Sequence, residues 1–352
     1  MRILITAGGT GGHIMPAMAI ADALRARNPK TELLFVGTNR GMEEQLARRF
    51  DVPFKAIEAM GIKGKSPIGI IKALPVNMRA FVRALGIMHG FRPQVVIGTG
   101  GYITGMVVLA GRLMGARCII HEQNSVPGLT NRILSRLVHK VFTAFPDDGN
   151  NLPPDKTVLT GNPVRSAILA ADRDTHRSCL FIMGGSLGAS SINHAAAHAI
   201  EILRDEGIDI PVIHQCGEHD LSWLRQQYRQ YNIEVEVHAF IDDMAKVYKK
   251  TLLAFCRAGG LSLAELSVSG IPALMVPLPW AADDHQRKNA QYLASRGGGW
   301  IIEEHDLDPG GLALRIKDLL DNPDRLEHAS AAMKHTGLGR GADRIAEEIL
   351  NV

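Results

Sequence analysis

The stretch "AGGTGGHIMP" (Ala7–Pro16) lies near the start of the 352-residue chain and carries four glycines. The short apolar run "RILIT" precedes it, and the overlapping run "MPAMAIADALRA" has apolar residues at helical spacing. This order predicts a β-strand, a tight loop and an α-helix. Glycines allow the backbone to approach a ligand, and a helix N-terminus favours an anion. We therefore expect a phosphate or oxyanion site, the alternative being glycines that only pack strand against helix.

His13 at the end of this loop needs its own explanation. A histidine at a helix N-terminus meets the positive end of the helix dipole, which disfavours the protonated ring. A ring held neutral in this way can act as a base. The structural alternative is that His13 only braces the loop through a hydrogen bond.

The same pattern returns half a chain later. The run "SCLFIMGGSLGAS" (178–190) is again a strand leading into a glycine loop, and "SINHAAAHAIEILRD" (191–205) has helical periodicity. Apolar runs alternate with helical segments in both halves, which is typical of parallel sheets covered by helices. The sequence thus predicts an α/β protein with two Rossmann-like domains, 1–162 and 163–336, the first completed by a C-terminal helix over 337–352. Ligands of such sheets bind beyond the carboxyl ends of the strands, so we expect the site in a cleft faced by both sets of loops.

Composition excludes several classes of protein. The formal net charge of +3 is too small to indicate nucleic acid as a partner. The four cysteines are far apart and form no C-x-x-C pair, so we expect reduced thiols rather than zinc or disulfides. No signal peptide is expected, because "ILITA" is too short, and no membrane span, because the longest uncharged run (93–111) is broken by proline and glycines.

Common cofactor signatures are absent from the sequence. Neither "GGTGGHIM" nor "GGSLGAS" fits G-x-G-x-x-G, and "LLFVGTNRG" (33–41) lacks the acidic residue that a dinucleotide site needs. None of the glycine loops at 8–12, 184–188 and 259–260 is followed by Lys-Ser or Lys-Thr, which disfavours a P-loop there. The triplets "DRD" (172–174) and "DLD" (306–308) lie in polar connecting stretches and are interpreted as solvated. We expect neither a cofactor nor a metal.

A third glycine cluster, "CRAGGLSLAELSVSG" (256–270), follows an apolar strand and opens a helix that contains Glu265. A carboxylate there can accept hydrogen bonds from ribose hydroxyls while the helix N-terminus holds phosphate. This favours a sugar nucleotide on the second domain. An ordinary helix cap with a surface glutamate is the alternative.

Taken together, the motifs resemble one family closely, the MurG transferases of peptidoglycan synthesis. The resemblance runs in order through both halves of the chain, in "GGTGGHIMP", "GTGGY", "HEQN", "GNPVR", "GGSLGA", "FIDDM", "AGGLSLAE" and "DDHQRKNA". It implies the two-domain GT-B glycosyltransferase fold and metal-independent, inverting transfer. The implied reaction moves N-acetylglucosamine from UDP-GlcNAc to undecaprenyl-pyrophosphoryl-MurNAc-pentapeptide (lipid I), which gives lipid II.

The resemblance also implies a set of substrate-binding residues. On the first domain it places Thr10, Gly11, Gly12 and Asn124. From the other side it adds Arg165, Ser186, Ile241, Gly260, Leu261, Ser262, Leu263, Ala264, Glu265 and Gln286. Ile241 would meet uracil through its backbone, Glu265 the ribose, and the Ser186 loop the diphosphate. Leu187 and Ser262 stand where the family commonly has Gln and Thr. Because Leu187 lacks the amide, one contact to the sugar-nucleotide donor is in doubt.

His13 is the candidate general base, which would take the proton of the acceptor hydroxyl. Glu122 in "HEQN" (121–124) also follows an apolar strand and competes for this role. Two other functions stay open: a UDP-GlcNAc 2-epimerase, and a sugar-nucleotide-binding protein without catalysis.

A basic, apolar segment suggests how a lipid substrate could be reached. No acidic residue stands between Glu58 and Glu122, whereas cations and apolar residues alternate there. The candidate membrane residues are Lys63, Lys65, Lys72, Arg79 and Arg83. Such a surface suits anionic headgroups, so we expect a peripheral protein on the cytoplasmic face of the cell membrane, with a cell-wall synthesis complex as a further partner. The alternative is core residues beneath a solvated charged face.

Overall fold

The computed structural model of the chain describes residues 1–39, 41–61, 66–171 and 177–351. They fold into two compact units, Met1–Ser166 with Gly339–Val352, and Ala167–Leu338. Each unit contains one parallel sheet flanked by helices, so the predicted α/β fold with two Rossmann-like domains is confirmed.

The strands, in chain order, are β1 (Arg2–Thr6), β2 (Glu32–Gly37), β3 (Phe54–Ala56), β4 (Val95–Gly98), β5 (Arg117–Glu122), β6 (Lys140–Thr143), β7 (Thr157–Leu159), β8 (Cys179–Met183), β9 (Val212–Gln215), β10 (Val235–His238), β11 (Thr251–Arg257), β12 (Ala273–Val276) and β13 (Gly299–Ile301). The helices are α1 (Gly11–Arg27), α2 (Glu43–Arg49), α3 (Pro67–Phe91), α4 (Tyr102–Leu113), α5 (Leu129–Ser135), α6 (Ser166–Leu169), α7 (Ser190–Asp205), α8 (Leu221–Gln230), α9 (Met244–Lys250), α10 (Gly260–Val268), α11 (His285–Ala294), α12 (Pro309–Asp321), α13 (Pro323–His335) and α14 (Gly341–Leu350).

The sheet of the first unit has the order β3-β2-β1-β4-β5-β6-β7. Its strands are buried on both faces: Ile3 and Ile5 of β1 pack in the cluster with α1, whereas Leu4 packs on the opposite face with residues of α3 and α4. Chain order reverses between β1 and β4, so the loops that follow these strands lie side by side at one edge.

The C-terminal helix α14 belongs to this first unit. Ile345, Ala346 and Ile349 are buried in the same cluster as the apolar face of α1. Its charged face adds ion pairs, such as the one between Lys140 and Glu348. Residues more than 300 positions apart in the chain, such as Ile20 and Ile345, thereby complete one core.

The sheet of the second unit has the order β10-β9-β8-β11-β12-β13, with the same reversal between β8 and β11. Leu180 and Ile182 of β8 pack with buried residues of α7 and α12. The second glycine loop follows β8 and the third follows β11, so the two lie next to each other at the carboxyl edge.

Candidate active site

The first glycine loop is shaped by close backbone contacts. The Gly8 N–H donates to the Gly100 carbonyl at 3.2 Å. A Cβ at Gly101 would lie 2.1 Å from the Gly8 carbonyl oxygen, and Gly101 has φ +87°. A side chain at this position would force the two loops apart, which explains the glycine in structural terms.

Glu43 stabilises the same loop through hydrogen bonds. The sequence did not predict this role. Its side chain is fully buried, and Oε1 accepts from the Gly9 N–H at 3.1 Å and from the Thr38 hydroxyl at 2.7 Å. Its position in the first turn of α2 suits a carboxylate. The only sequence signal was an acidic residue at a helix start, which is common on protein surfaces.

His13 lies in the first turn of α1 and is half-buried. Its Nδ1 lies 3.1 Å from Oε1 of Gln123, and its carbonyl oxygen accepts from the Thr99 hydroxyl at 2.8 Å. A Cβ at Gly100 would lie 2.4 Å from Nδ1, so the ring packs directly against that glycine. The ring is therefore held in one orientation by the loop after β4 and by the end of β5.

Gln123 continues a chain of polar contacts into the protein interior. It is 3% exposed, and its Nε2 bonds the Thr99 carbonyl oxygen and lies 3.1 Å from Nδ1 of His121. Nε2 of His121 in turn lies 3.1 Å from the Gly161 carbonyl oxygen. Burial, opposed only in part by that bond, lowers the pKa of His121 to about 4. The sequence motif "HEQN" (121–124) indicated that this region is functional, but it did not predict the contacts of His121 and Gln123.

Glu122 is occupied by the loop that follows it. Oε1 accepts from the Asn124 N–H at 3.0 Å, and Oε2 accepts from the Gly128 N–H at 3.0 Å and from Nδ2 of Asn131 at 2.8 Å. The carboxylate is 4% exposed. These three donors fix the loop between β5 and α5.

The other predicted residues of the first unit lie around this edge. Thr10 and Gly12 are exposed, and Gly11 and Asn124 are half-buried. Arg165 is half-buried and lies in the first unit, although the sequence analysis assigned it to the second domain.

The second glycine loop is held by equally close contacts. Gly188 has φ +80°, and a Cβ there would lie 1.9 Å from the Cys216 carbonyl oxygen. Ser186 is exposed at the tip, and Leu187 beside it is 82% exposed. The loop thus presents Ser186 and backbone groups outward, as a site for an anion requires.

Gln215 at the end of β9 connects two predicted parts of the donor site. Its Nε2 donates to the Gly185 carbonyl at 3.2 Å, and its Oε1 accepts from the Ile241 N–H at 2.9 Å. The buried amide therefore fixes the distance between the glycine loop and the backbone of Ile241. Sequence reasoning missed it because "PVIHQCG" (211–217) reads as an ordinary buried strand.

Helix α10 contains most of the remaining predicted residues. Leu263 and Ala264 are fully buried in the core, so their side chains cannot face a ligand. Gly260 is also buried, whereas Leu261 and Ser262 are half-buried in the first turn. Glu265 is not a surface glutamate: it is 5% exposed and accepts from the Tyr248 hydroxyl at 3.0 Å.

Gln286 lies in the first turn of α11 and is half-buried. Its Oε1 accepts from the Leu278 N–H at 3.1 Å, which leaves the amide nitrogen as a donor. Just before this helix, Asp283 and Asp284 have φ of +55° and +54°. Backbone in this conformation is costly outside glycine and is concentrated at functional loops.

Within residues 1–39, 41–61, 66–171 and 177–351, no cluster of three or more histidine, cysteine, aspartate or glutamate side chains could hold a metal ion. Of the "DLD" triplet, Asp308 caps α12 by accepting from the Gly311 N–H at 2.8 Å. The "DRD" triplet (172–174) lies outside the described residues.

Helix α3 carries the described part of the predicted membrane segment. Lys72, Arg79 and Arg83 are exposed on it, whereas Lys63 and Lys65 lie outside the described residues. The helix also exposes a row of large apolar side chains: Ile71, Leu74, Met78 and Val82, each 59–70% exposed. Among the helices of the described residues, none has both the length and the apolar character needed to cross a bilayer.

Comparisons with known proteins agree with this architecture. The N-terminal domain model of glycosyltransferase family 28 matches residues 3–143, and its C-terminal domain model matches residues 179–345. A protein of Geotalea uraniireducens (strain Rf4) is 38% identical over 99% of this chain and 98% of its own length. Its name is UDP-N-acetylglucosamine--N-acetylmuramyl-(pentapeptide) pyrophosphoryl-undecaprenol N-acetylglucosamine transferase.

Two solved structures resemble this chain, one at a sequence identity that indicates the family and one at an identity that indicates only the fold. The crystal structure of Acinetobacter baumannii MurG matches with a TM-score of 0.79 and 32% identity, covering 100% of this chain and 99% of that one. A UDP-GlcNAc 2-epimerase from Neisseria meningitidis, bound to UDP-GlcNAc, matches with a TM-score of 0.71 over 100% of both chains, but at 14% identity this shows the fold alone. The family predicted from the sequence motifs is thereby confirmed, and the chain belongs to glycosyltransferase family 28.

Proposed function

We propose that the chain transfers N-acetylglucosamine from UDP-GlcNAc to lipid I, with inversion at the anomeric carbon, to give lipid II. The observation that carries this proposal is the 38% identity, over 99% of the chain, to a transferase named for that donor and acceptor. The acceptor hydroxyl oxygen forms the new bond to the anomeric carbon while the bond from that carbon to the diphosphate oxygen breaks. UDP leaves, and the hydroxyl proton goes to a base on the protein.

His13 is the base in this proposal. Its ring is half-buried beside an exposed glycine loop, and its orientation is set by Gln123 and Gly100. Glu122 is the weaker candidate, because its two oxygens already accept from three donors and it is almost fully buried. Glu122 would have to give up these hydrogen bonds before either oxygen could contact an acceptor hydroxyl.

The donor binds to the second unit in this proposal. The loop around Ser186 and the first turn of α10 supply hydrogen-bond donors for the diphosphate, whose negative charge increases as UDP leaves. Because the Ile241 N–H already donates to Gln215, the backbone of Ile241 meets uracil through its carbonyl oxygen. Glu265, oriented by Tyr248, accepts from the ribose. Gln286 offers its amide nitrogen.

We also propose that α3 contacts the membrane that holds lipid I, on its cytoplasmic face. Spacings of three and four residues place Ile71, Leu74, Met78 and Val82 on one side of the helix. Their exposure is unusual for large apolar side chains in water, and the cations Lys72, Arg79 and Arg83 stand among them. Helix α4 packs against both α3 and α5. Helix α5 also exposes two large apolar side chains, Leu129 and Ile133. An apolar surface with interspersed cations suits the headgroup region of an anionic bilayer.

The first experiment is to measure UDP release from UDP-GlcNAc, with and without a soluble lipid I analogue, in the presence of a chelator. We expect release that depends on the acceptor and yields a disaccharide lipid. Release without acceptor, accompanied by free N-acetylmannosamine, would instead show a 2-epimerase and overturn the proposal. Binding of UDP-GlcNAc without any turnover would favour a non-catalytic sugar-nucleotide-binding protein.

A further inference from the structure

The polar contacts that run inward from His13 determine where each proton lies. At the buried end, Nε2 of His121 lies 3.1 Å from the Gly161 carbonyl oxygen, which can only accept. Nε2 must therefore carry a hydrogen. Because burial lowers the pKa of His121 to about 4, the ring is neutral at neutral pH, and its Nδ1 has a lone pair.

The amide of Gln123 then has only one favourable orientation. One end of it faces Nδ1 of His121 at 3.1 Å and the Thr99 carbonyl oxygen, and both of these are acceptors. Only the –NH2 end can satisfy them, since it offers two hydrogens. The reversed amide would place its oxygen against two acceptors in a buried site, which is strongly unfavourable.

This orientation directs the amide oxygen of Gln123 at His13. Oε1 lies 3.1 Å from Nδ1 of His13 and can only accept, so Nδ1 carries the hydrogen. A neutral ring protonated on Nδ1 has its lone pair on Nε2. We propose that, within the transfer reaction proposed above, Gln123 and His121 are positioning residues that keep the His13 proton on Nδ1 and leave Nε2 to receive the acceptor proton.

The choice of an amide rather than a carboxylate as the partner of His13 has a chemical consequence. When Nε2 takes the proton, the ring becomes a cation whose Nδ1–H still donates to a neutral oxygen. A carboxylate would stabilise that cation and hold the proton more tightly. With glutamine, the ring is oriented as a base and returns its proton readily at the end of each cycle.

The test reads the protonation state of each ring nitrogen directly. In protein labelled with ¹⁵N-histidine, the nitrogen shifts distinguish protonated from unprotonated ring nitrogens, and His13→Ala identifies which of the 14 histidines is His13. We expect wild-type protein at neutral pH to show a protonated Nδ1 and an unprotonated Nε2 at His13. A His13 ring protonated on Nε2 in wild-type protein would overturn the inference without reference to activity.

The variant Gln123→Leu has a side chain of similar size but lacks both the amide oxygen that contacts His13 and the amide nitrogen that contacts His121. We expect it to shift His13 toward the form protonated on Nε2 and to lower kcat about 10- to 100-fold, with the KM for UDP-GlcNAc little changed. The matched variant is Gln215→Leu, which removes a buried bridging glutamine of the second unit and should raise that KM without changing the His13 tautomer. An unchanged tautomer and unchanged kcat in Gln123→Leu would contradict the inference. If the protein shows the predicted tautomer but transfers nothing to lipid I, the proposed function is overturned, whereas the control of the His13 tautomer by Gln123 and His121 stays supported.

Discussion

His13 and Glu122 differ in how much of each side chain is already committed to the fold. His13 uses one ring nitrogen to contact Gln123, whereas both oxygens of Glu122 accept from the loop beyond β5. We therefore expect His13→Ala to lower kcat about 10²- to 10⁴-fold with little change in donor binding, because only proton transfer in the transition state is lost. Steady-state kinetics with UDP-GlcNAc and a lipid I analogue measures both quantities.

Glu122→Gln is the matched comparison for that substitution. It keeps the shape but turns an amide nitrogen toward donors, so we expect the free energy of unfolding to fall by about 1–3 kcal/mol. The acid limb of the kcat profile should stay where it is in wild-type protein. Two results together would instead make Glu122 the base: a kcat of His13→Ala within a few-fold of wild type, and loss of the acid limb of the kcat profile in Glu122→Gln.

Helix α3 is the element whose surface is unusual. Its buried side includes the small residues Ala73, Ala80 and Ala84 and, near its end, Met88. Four other large apolar residues face outward: Ile71, Leu74, Met78 and Val82. Replacing Lys72, Arg79 and Arg83 together by glutamine should weaken binding to anionic vesicles by about 1 kcal/mol per charge at low salt, and by less at high salt. Replacing Leu74 and Met78 by serine should weaken it independently of salt.

The control for α3 removes the same number of charges from the second unit. Lys246, Lys249 and Lys250 lie in or at the end of α9, and their replacement by glutamine changes the net charge equally. We expect this control to bind vesicles like wild-type protein in flotation assays at matched ionic strength. Equal losses in both triple variants would mean that overall charge, not the surface of α3, determines binding.

At the scale of the whole molecule, the part of each unit that the structure describes contains one fully buried histidine. Burial lowers the pKa of His121 to about 4 and that of His214, which contacts Tyr228 and Asn193, to about 3. The unfolded rings have the ordinary value of 6.5, so below that pH the unfolded chain binds protons that the folded chain does not. Stability is therefore highest above pH 6.5 and falls as the pH decreases toward these lowered values, by about 1.4 kcal/mol per pH unit for each histidine.

Denaturant unfolding between pH 7 and pH 5 measures this loss. Followed by the tryptophans of the second unit, Trp223, Trp280 and Trp300, it reports on the unit that contains His214. In His214→Leu the acid dependence of that unit should become shallower, even though the variant is less stable at pH 7. The control His305→Ala changes an exposed ring and should keep the wild-type slope. A second unit equally stable at pH 7 and pH 5 would contradict the prediction.

The fold and the identity of the family follow from local features of the sequence. A strand leading into glycines and then a helix, repeated half a chain apart, predicts two parallel sheets, because few other arrangements bury such strands on both faces. The motifs from "GGTGGHIMP" to "DDHQRKNA" carry the family by their order alone. They also indicate which loops face the ligand, since these loops follow strands.

The side-chain contacts within each loop depend on the order of the strands in the sheet. The spacing of apolar residues along the sequence does not encode that order. Gln123 meets His13 across 110 positions because β1 and β5 lie on either side of β4 and end at the same edge of the sheet. Gln215 meets Ile241 across 26 positions because the neighbouring strands β9 and β10 end at the same edge. The burial of Leu263 and Ala264 and the engagement of Glu122 likewise depend on what packs around them. A single buried amide can orient a base or a loop only when distant strands bring its partners to within about 3 Å, and that condition is met by tertiary structure.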